Sequence, residues 1–240
     1  MLQPDFEILY EKGACLAVNK PAGLLTQAPH GIDSLESRVK TYLMEKEGRS
    51  YLGVPHRLDR PVSGVILFGK HSRATHRLSE QFEKRQINKT YWAVTEGAVK
   101  PETGTWIDFI RKVPNKPLAE IVAPINPDAR EAILHYKVLG YFELDGKTIT
   151  HLEIKLETGR MHQIRLQCSV HGYSILGDAT YGSVIPFGDY FDAEYYREIA
   201  LHARSIEFLD PITCEPVNLT APLPTLWNRT LQDIFCNINK

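Results

Sequence analysis

The chain has 240 residues, 43% hydrophobic and 24% charged, which is ordinary for a globular protein. Its 28 basic and 29 acidic residues give a net charge of −1, which excludes a protein that coats nucleic acid everywhere but allows one local basic cleft. No apolar run is long enough to predict a membrane span, the N-terminus lacks a signal-peptide pattern, and the four cysteines form no C-x-x-C pair. We therefore expect a cytoplasmic protein with reduced thiols.

The first half of the chain predicts five strands and two helices. Asp33 is the expected N-cap of the first helix, with Glu36 as its capping-box partner. Apolar residues at spacings of four predict the second helix. The predicted strands are Phe6 to Tyr10, Ala14 to Asn19, Val65 to Phe68, Lys89 to Thr95 and Thr105 to Arg111, and the helices are Asp33 to Glu47 and Ser72 to Lys84.

The second half opens with a proline-rich stretch, Lys112 to Asp128, which we interpret as a long surface connection. A hairpin is then predicted to turn at Asp145-Gly146, followed by a helix, two late strands and a terminal helix. These elements are Ala132 to Phe142, Thr148 to Leu156, Gly159 to Val170, Leu201 to Phe208, Val217 to Leu219 and Pro224 to Phe235. Many strands with few helices predict an α+β fold with a mixed, mostly antiparallel sheet.

Sequence motifs for three other kinds of site are incomplete or absent. Gly64 and Gly69-Lys70 match the start of a phosphate loop, but His71 stands where Ser or Thr is required and a strand is predicted between the glycines. Cys168 and His171 have no second ligand pair, so we predict no metal site. No G-x-S-x-G sequence indicates an α/β-hydrolase.

The most informative stretch surrounds Asp59, which lies between Arg57 and Arg60 just before the buried strand Val65 to Phe68. A carboxylate beside a core strand needs a partner, and the arginines suggest both that partner and a phosphate-bearing substrate. Further basic residues follow, and a solvated helix face would account for them equally well. They are Lys70, Arg73, Arg77, Lys84, Arg85 and Lys89.

Four blocks together resemble the RluA-type family of RNA pseudouridine synthases. They begin at Leu16, His56, Lys89 and Leu156 and read LAVNKPAGL, HRLD with a following SG, KTYWA, and LETGRMHQIR continued by HG and GDATYG. The resemblance implies a single catalytic domain over residues 1–240 with the pseudouridine synthase fold, acting on uridine in tRNA or rRNA. Because the blocks start near residue 16, we expect no N-terminal S4-type domain.

The resemblance also implies the catalytic residues. Asp59 is the expected nucleophile or base. Three routes stay open: Asp59 attacks C1′, adds to C6, or removes a proton from the ribose to give a glycal. The resemblance favours the glycal route. Arg165 would hold Asp59 ionised, or form a structural ion pair. Tyr91 would stack on the uracil and relay the C5 proton, or be a core tyrosine. Isomerisation needs no redox partner, so we expect no cofactor.

The expected partner is a structured RNA whose uridine leaves its stack, with Arg57 filling the space or contacting phosphate. Weaker predictions for contacts to the RNA backbone are His56, Arg60, Lys20, Arg73 and Arg77. His162 and Gln163 are expected to brace the helix of Arg165. No membrane partner is expected, and a monomer is the expectation for an oligomeric state that the sequence leaves open.

Two departures from the family pattern bear on substrate preference. Val62 replaces the usual Thr, and residues 26–29 (Thr-Gln-Ala-Pro) replace a Val-His-Pro-like loop. The main alternative is a non-catalytic RNA-binding protein on the same scaffold. A more distant alternative is a nucleoside or glycoside hydrolase, which would need a second catalytic carboxylate; Glu157 and Asp178 are available but have no clear role.

Overall fold

A computed structural model gives the fold and describes residues 4–48, 50–188, 190–192 and 196–230. The backbone forms two compact units, Met1–Lys89 with His202–Pro224, and Thr90–Leu201 with Thr225–Lys240. Most of the strand pairs given for the described residues are antiparallel, β3 and β11 pair in parallel, and helices flank the strands, so the predicted α+β class with a mixed, mostly antiparallel sheet is confirmed. The single domain over residues 1–240 stays a prediction.

The first unit contains a sheet whose middle strand is entirely buried. Its strands are β1 (Glu7–Lys12), β2 (Cys15–Lys20), β3 (Ser63–Gly69), β11 (Leu201–Leu209) and β12 (Pro216–Thr220). They are hydrogen-bonded in that order, with β3 and β11 parallel. Gly64 is required at this parallel pair, because its φ is +118° and a Cβ there would lie 2.3 Å from the Ala203 carbonyl oxygen.

Two helices complete the first unit, α1 (Leu35–Glu47) and α2 (Ser72–Glu83). Helix α2 confirms the helix that apolar residues at spacings of four predict. The predicted cap of α1 is wrong by one residue, since Ser34 is the N-cap and forms the capping box with Ser37. Asp33 instead pairs with the Arg38 guanidinium, so its carboxylate is not used to cap the helix.

The second unit contains an antiparallel sheet of five strands. They are β4 (Asn88–Glu96), β5 (Thr103–Lys112), β6 (Ala119–Ile121), β7 (Arg130–Leu144) and β8 (Lys147–Leu156), in the order β4-β8-β7-β5-β6. The predicted hairpin turn at Asp145-Gly146 is confirmed, with positive φ at both residues. The proline-rich stretch is more ordered than expected, because it contains β6 paired with β5.

The remaining elements of the second unit are short. They are α3 (Gln163–Val170), a 3₁₀ turn (Ala179–Tyr181), β9 (Tyr190–Asp192), β10 (Tyr196–Arg197) and α4 (Thr225–Thr230). The predicted start of the third helix at Gly159 is wrong, since α3 begins at Gln163. The predicted terminal helix agrees with α4, and its part beyond residue 230 lies outside the described residues. Among the described helices, none is both long and apolar enough to cross a membrane.

Candidate active site

Asp59 lies in the loop that enters β3, as the sequence predicts, and it is half-buried. Its own carbonyl accepts a hydrogen bond from the Val62 amide at 3.1 Å, which closes a turn over residues 59–62. Directly after that turn the chain becomes the fully buried β3. The carboxylate is therefore carried on a short loop whose exit is fixed by the core.

The residues on both sides of Asp59 are hydrogen-bonded to the loop 20–26. On the N-terminal side, Thr26 Oγ1 donates to the Leu58 carbonyl at 2.8 Å and accepts from the Leu58 amide at 3.2 Å. On the C-terminal side, the Gly23 amide donates to the Arg60 carbonyl at 2.8 Å, and Arg60 Nε donates back to the Gly23 carbonyl at 2.8 Å. These bonds limit the movement of Asp59, because both of its neighbours are held by a second segment.

Lys20 supports the same loop from inside the protein. Its side chain is fully buried, and Nζ donates to the carbonyls of Pro21 (2.9 Å), Leu24 (2.7 Å) and Arg60 (3.3 Å). Three carbonyl acceptors match the three N–H donors of an ammonium group. The contact of Lys20 with the RNA backbone stays a prediction; in this structure its charge is buried and its Nζ donates to carbonyls of the Asp59 loop and its neighbours.

His56 is held as a neutral ring. Its Nε2 accepts from the Leu67 amide at 2.9 Å, which places the ring proton on Nδ1. Burial, with a smaller contribution from the charge of Lys89, lowers the pKa of His56 to about 3. Its RNA contact stays a prediction, and at neutral pH such a contact would be a hydrogen bond from Nδ1–H rather than an ion pair.

A second neutral histidine, His202, is fully buried and fixes the start of β3. His202 Nδ1 is 2.9 Å from Ser63 Oγ, and its Nε2 is 3.3 Å from the Ala221 carbonyl oxygen. Burial is the main cause that lowers the pKa of His202 to about 4, so the ring is neutral at physiological pH. His202 lies in the predicted strand Leu201 to Phe208, and its sequence position alone indicates no such role.

The predicted RNA-binding arginines differ in their surroundings. Arg57 and Arg73 are exposed, as a contact to phosphate requires. Arg77 is half-buried and donates from Nη1 to the Pro211 carbonyl at 2.6 Å, so one of its nitrogens anchors a loop. Arg60 is also half-buried and uses Nε in the same way. RNA contacts by all four arginines stay predictions.

Arg165 lies on α3 in the second unit and forms a buried, bidentate ion pair with Asp178. Nε donates to Oδ2 at 2.7 Å and Nη2 donates to Oδ1 at 2.8 Å, and the two side chains are 6% and 1% exposed. The Tyr181 ring lies 5.1 Å from the guanidinium carbon. Asp178, for which the sequence indicated no role, is thus a partner of Arg165. It accepts from two of the five N–H donors of the guanidinium, so Arg165 can still donate to a second carboxylate.

The start of α3 is braced by the two residues for which this was predicted. Gln163 Oε1 accepts from Thr158 Oγ1 at 2.8 Å and from the Arg160 amide at 3.0 Å. His162 has a positive φ of 53° and places Nδ1 2.8 Å from the Tyr181 hydroxyl. The helix therefore begins at a fixed point two residues before Arg165, and the guanidinium is oriented before any substrate arrives.

Tyr91 lies on β4, opposite Ile154 of β8, and is 8% exposed. This burial fits the alternative of a core tyrosine, and it equally fits an aromatic ring that is covered until a base stacks on it. Its catalytic role stays a prediction.

Comparison with known proteins decides the family. Residues 14–170 match the sequence profile of RNA pseudouridylate synthase. The chain belongs to this family of RNA pseudouridine synthases. It is 31% identical to tRNA pseudouridine synthase C of Haemophilus influenzae over 232 residues, which covers 94% of this chain and 96% of that protein. It is 33% identical to ribosomal large subunit pseudouridine synthase D of Xanthomonas campestris over 227 residues, which covers 90% of this chain and 66% of that protein.

The pseudouridine synthase family also accounts for the fold. Human RNA pseudouridylate synthase domain containing 4 aligns with a TM-score of 0.74 at 22% identity, covering 95% of this chain and 93% of that one. RNA pseudouridine synthases are isomerases, so the predicted enzyme class is confirmed. The residues matched by the family profile include Asp59, Tyr91 and Arg165.

The motifs that resemble other sites are accounted for by structural contacts in this synthase. Lys70, the lysine of the failed phosphate loop, is 5% exposed and forms ion pairs with Glu11 and Glu47. His171 stacks on Trp106 with ring centroids 4.5 Å apart, and its Nε2 lies 3.1 Å from Asp108. Within the described part of the chain, no cluster of three or more metal-binding side chains occurs.

Proposed function

We propose that this chain converts uridine to pseudouridine in tRNA or rRNA, with Asp59 as its catalytic carboxylate. The family membership and the names of its relatives, which include tRNA and large-subunit rRNA synthases, support the substrate class. The observation that carries the proposal for Asp59 is the loop geometry. A half-buried carboxylate has a hydrogen-bonded neighbour on each side, which is the preorganisation that a catalytic group needs.

In the proposed reaction the C1′–N1 bond of uridine breaks, the uracil turns, and a C1′–C5 bond forms. The proton on C5 is lost and N1 gains one, so atoms and charge balance without an oxidant, reductant or cofactor. Asp59 would attack C1′, add to C6, or remove the ribose C2′ proton to give a glycal, and we favour the glycal route from the family resemblance. In each case Asp59 must be ionised when the uridine binds.

Arg165 and Tyr91 are proposed to serve the same uridine. Arg165 would keep Asp59 ionised through its permanent charge, and the bidentate bonds to Asp178 would keep the guanidinium in a fixed orientation. Tyr91 would stack on the uracil and relay the C5 proton. Both roles rest on the family resemblance and on the rigid placement of each side chain in its own element.

The uridine is proposed to flip out of its stack, with Arg57 in the vacated space. The exposed Arg73 and the half-buried Arg60 and Arg77 are the proposed contacts to the RNA backbone. The cytoplasmic location and the monomeric state stay predictions.

The test is tritium release from bulk RNA labelled as [5-³H]uridine in cells that lack this protein. Wild type is expected to release tritium, whereas Asp59→Asn, which keeps the shape but removes the charge, is expected to release none while binding RNA within a few-fold of wild type. Release by Asp59→Asn would refute the catalytic assignment. Binding without release by wild type would favour the non-catalytic RNA-binding alternative.

A further inference from the structure

Lys89 is a half-buried cation at the start of β4, two residues before Tyr91. Its Nζ lies 5.9 Å from the centroid of the Phe82 ring, at the outer limit of a cation–π contact. Burial lowers the pKa of Lys89, and no neighbouring carboxylate opposes that effect. Among the described residues, none forms an ion pair with this ammonium group. Its charge is therefore partly desolvated without a compensating carboxylate from the part of the chain that the structure describes.

His56 packs on the same Phe82 ring, with centroids 4.5 Å apart. Because Nε2 accepts a hydrogen bond from the Leu67 amide, the ring proton is on Nδ1, and that N–H has no acceptor in the described part of the chain. Lys89 is close enough to contribute to the lowered pKa of His56. One phenylalanine thus supports two donors, one charged and one neutral, for which the described residues provide no acceptor.

The chemistry of these donors selects their ligand. A desolvated ammonium group needs a negative charge, and a nearby neutral N–H adds a hydrogen bond without adding more charge. A phosphodiester offers one negative charge and two unesterified oxygens, so it can accept from both donors. His56 is three residues before Asp59 in the chain, which puts the pair beside the loop that carries the proposed catalytic carboxylate.

We propose that Lys89 and the Nδ1–H of His56 form an anion subsite that binds a backbone phosphate of the substrate RNA next to the target uridine. This rests on the proposed function, because it assigns the phosphate to the RNA that is modified. The subsite is distinct from the exposed arginines, since a half-buried donor pair fixes the position of a phosphate rather than attracting RNA from a distance.

A structural role for Lys89 and a role in binding an anion predict different stabilities for a variant that lacks its charge. A lysine kept for folding should stabilise the protein, and its loss should lower the melting temperature. A lysine kept for an anion is partly buried without a counter-charge in the free protein. Lys89→Met keeps the apolar length of the side chain, so it should leave the melting temperature of the RNA-free protein unchanged or raise it.

The experiment measures affinity for bulk tRNA from cells lacking this protein, between about 50 and 200 mM salt. Lys89→Met should weaken binding by about tenfold or more and reduce the salt slope by roughly 0.7 to 0.9, the contribution of one phosphate contact. Lys89→Arg, which keeps the charge, should retain the slope. Lys84→Met is the matched control, because Lys84 is exposed and already pairs with Glu80.

An unchanged slope in Lys89→Met, or a lowered melting temperature of the free protein, would overturn the subsite. Tritium release by the wild type, measured in parallel, separates this from the proposed function. Release with an unchanged slope refutes only the subsite. A reduced slope without release refutes the isomerase and leaves a phosphate site on an RNA-binding protein.

Discussion

Thr26 is the residue through which the loop 20–26 holds the N-terminal side of Asp59. Its side chain is buried, and one hydroxyl both donates to the Leu58 carbonyl and accepts from the Leu58 amide. Thr26→Val replaces the hydroxyl by a methyl group of similar size, so no cavity forms and no charge changes. The substitution therefore tests the two hydrogen bonds alone.

The expected cost follows from the two backbone groups that lose their partner. Each net hydrogen bond contributes about 1 to 1.5 kcal/mol, so the free energy of unfolding should fall by about 2 to 3 kcal/mol. For a chain of this size that corresponds to a loss of about 4 to 12 °C in melting temperature. A released Leu58 would also let Asp59 move, and a displacement of about 1 Å can reduce the rate about 100-fold.

The assay is tritium release at saturating RNA, with urea unfolding of the same preparations. Thr26→Ser keeps the hydroxyl and is the matched control, which should lose little rate. Thr26→Val should lower kcat more than it raises KM, because it disturbs a catalytic group rather than an RNA contact. Normal kcat with reduced stability would show that Thr26 stabilises the loop without positioning Asp59, and unchanged stability would refute the hydrogen-bond argument itself.

Two further predictions concern buried ionisable groups. Arg165→Met should lower the free energy of unfolding by about 3 to 5 kcal/mol, because Asp178 would remain buried without a partner; an unchanged urea midpoint would contradict this. Burial lowers the pKa of His56 to about 3 and those of His151 and His202 to about 4, from 6.5. Below pH 6.5 the unfolded chain therefore binds more protons than the folded protein. The free energy of unfolding should be highest above that pH and fall towards pH 4, by about 1.4 kcal/mol per pH unit for each histidine. Urea midpoints that stay flat between pH 7 and 5 would refute this prediction.

Local signals were sufficient for most of the fold. The run Val65 to Phe68 identified β3 because no alternating or helical pattern competes with it, and spacings of four identified α2. The hairpin of β7 and β8 was predictable because Asp145-Gly146 supplies the positive φ values that a tight turn requires. In each of these cases neighbouring residues determine the structure.

The predictions that failed depend on residues distant from the element itself or on competing side chains. The expected N-terminal turn of α3 is absent because Thr158 and the Arg160 amide donate to the Gln163 side chain, and the Thr158 hydroxyl also accepts from the Ile133 amide of β7. Asp33 is a good N-cap residue, but Arg38 competes for its carboxylate and Ser34 takes the cap. Propensity alone cannot decide between two acceptors of similar quality that are adjacent in sequence.

The catalytic candidates were identified from a family resemblance, but the residues that contact and orient them could not be predicted from the sequence. Asp178 lies thirteen positions after Arg165, outside α3, and only the folded second unit brings the two side chains together. The bond from Thr26 to Leu58 likewise joins segments 32 residues apart. The residues of a motif can be recognised in sequence, whereas the groups that orient them depend on long-range packing.

Three buried or half-buried lysines show why basic residues alone do not identify an RNA contact. Lys20 donates to three carbonyls, and Lys70 pairs with two carboxylates, so both charges are compensated by the protein itself. In the described residues Lys89 has an aromatic ring beside it and no acceptor. Since desolvating a charge costs free energy unless something compensates it, the lysine without an acceptor is the one for which an external anion is the best physical explanation. Burial and donor accounting together thus distinguish lysines that hold the fold from the one proposed to hold the substrate.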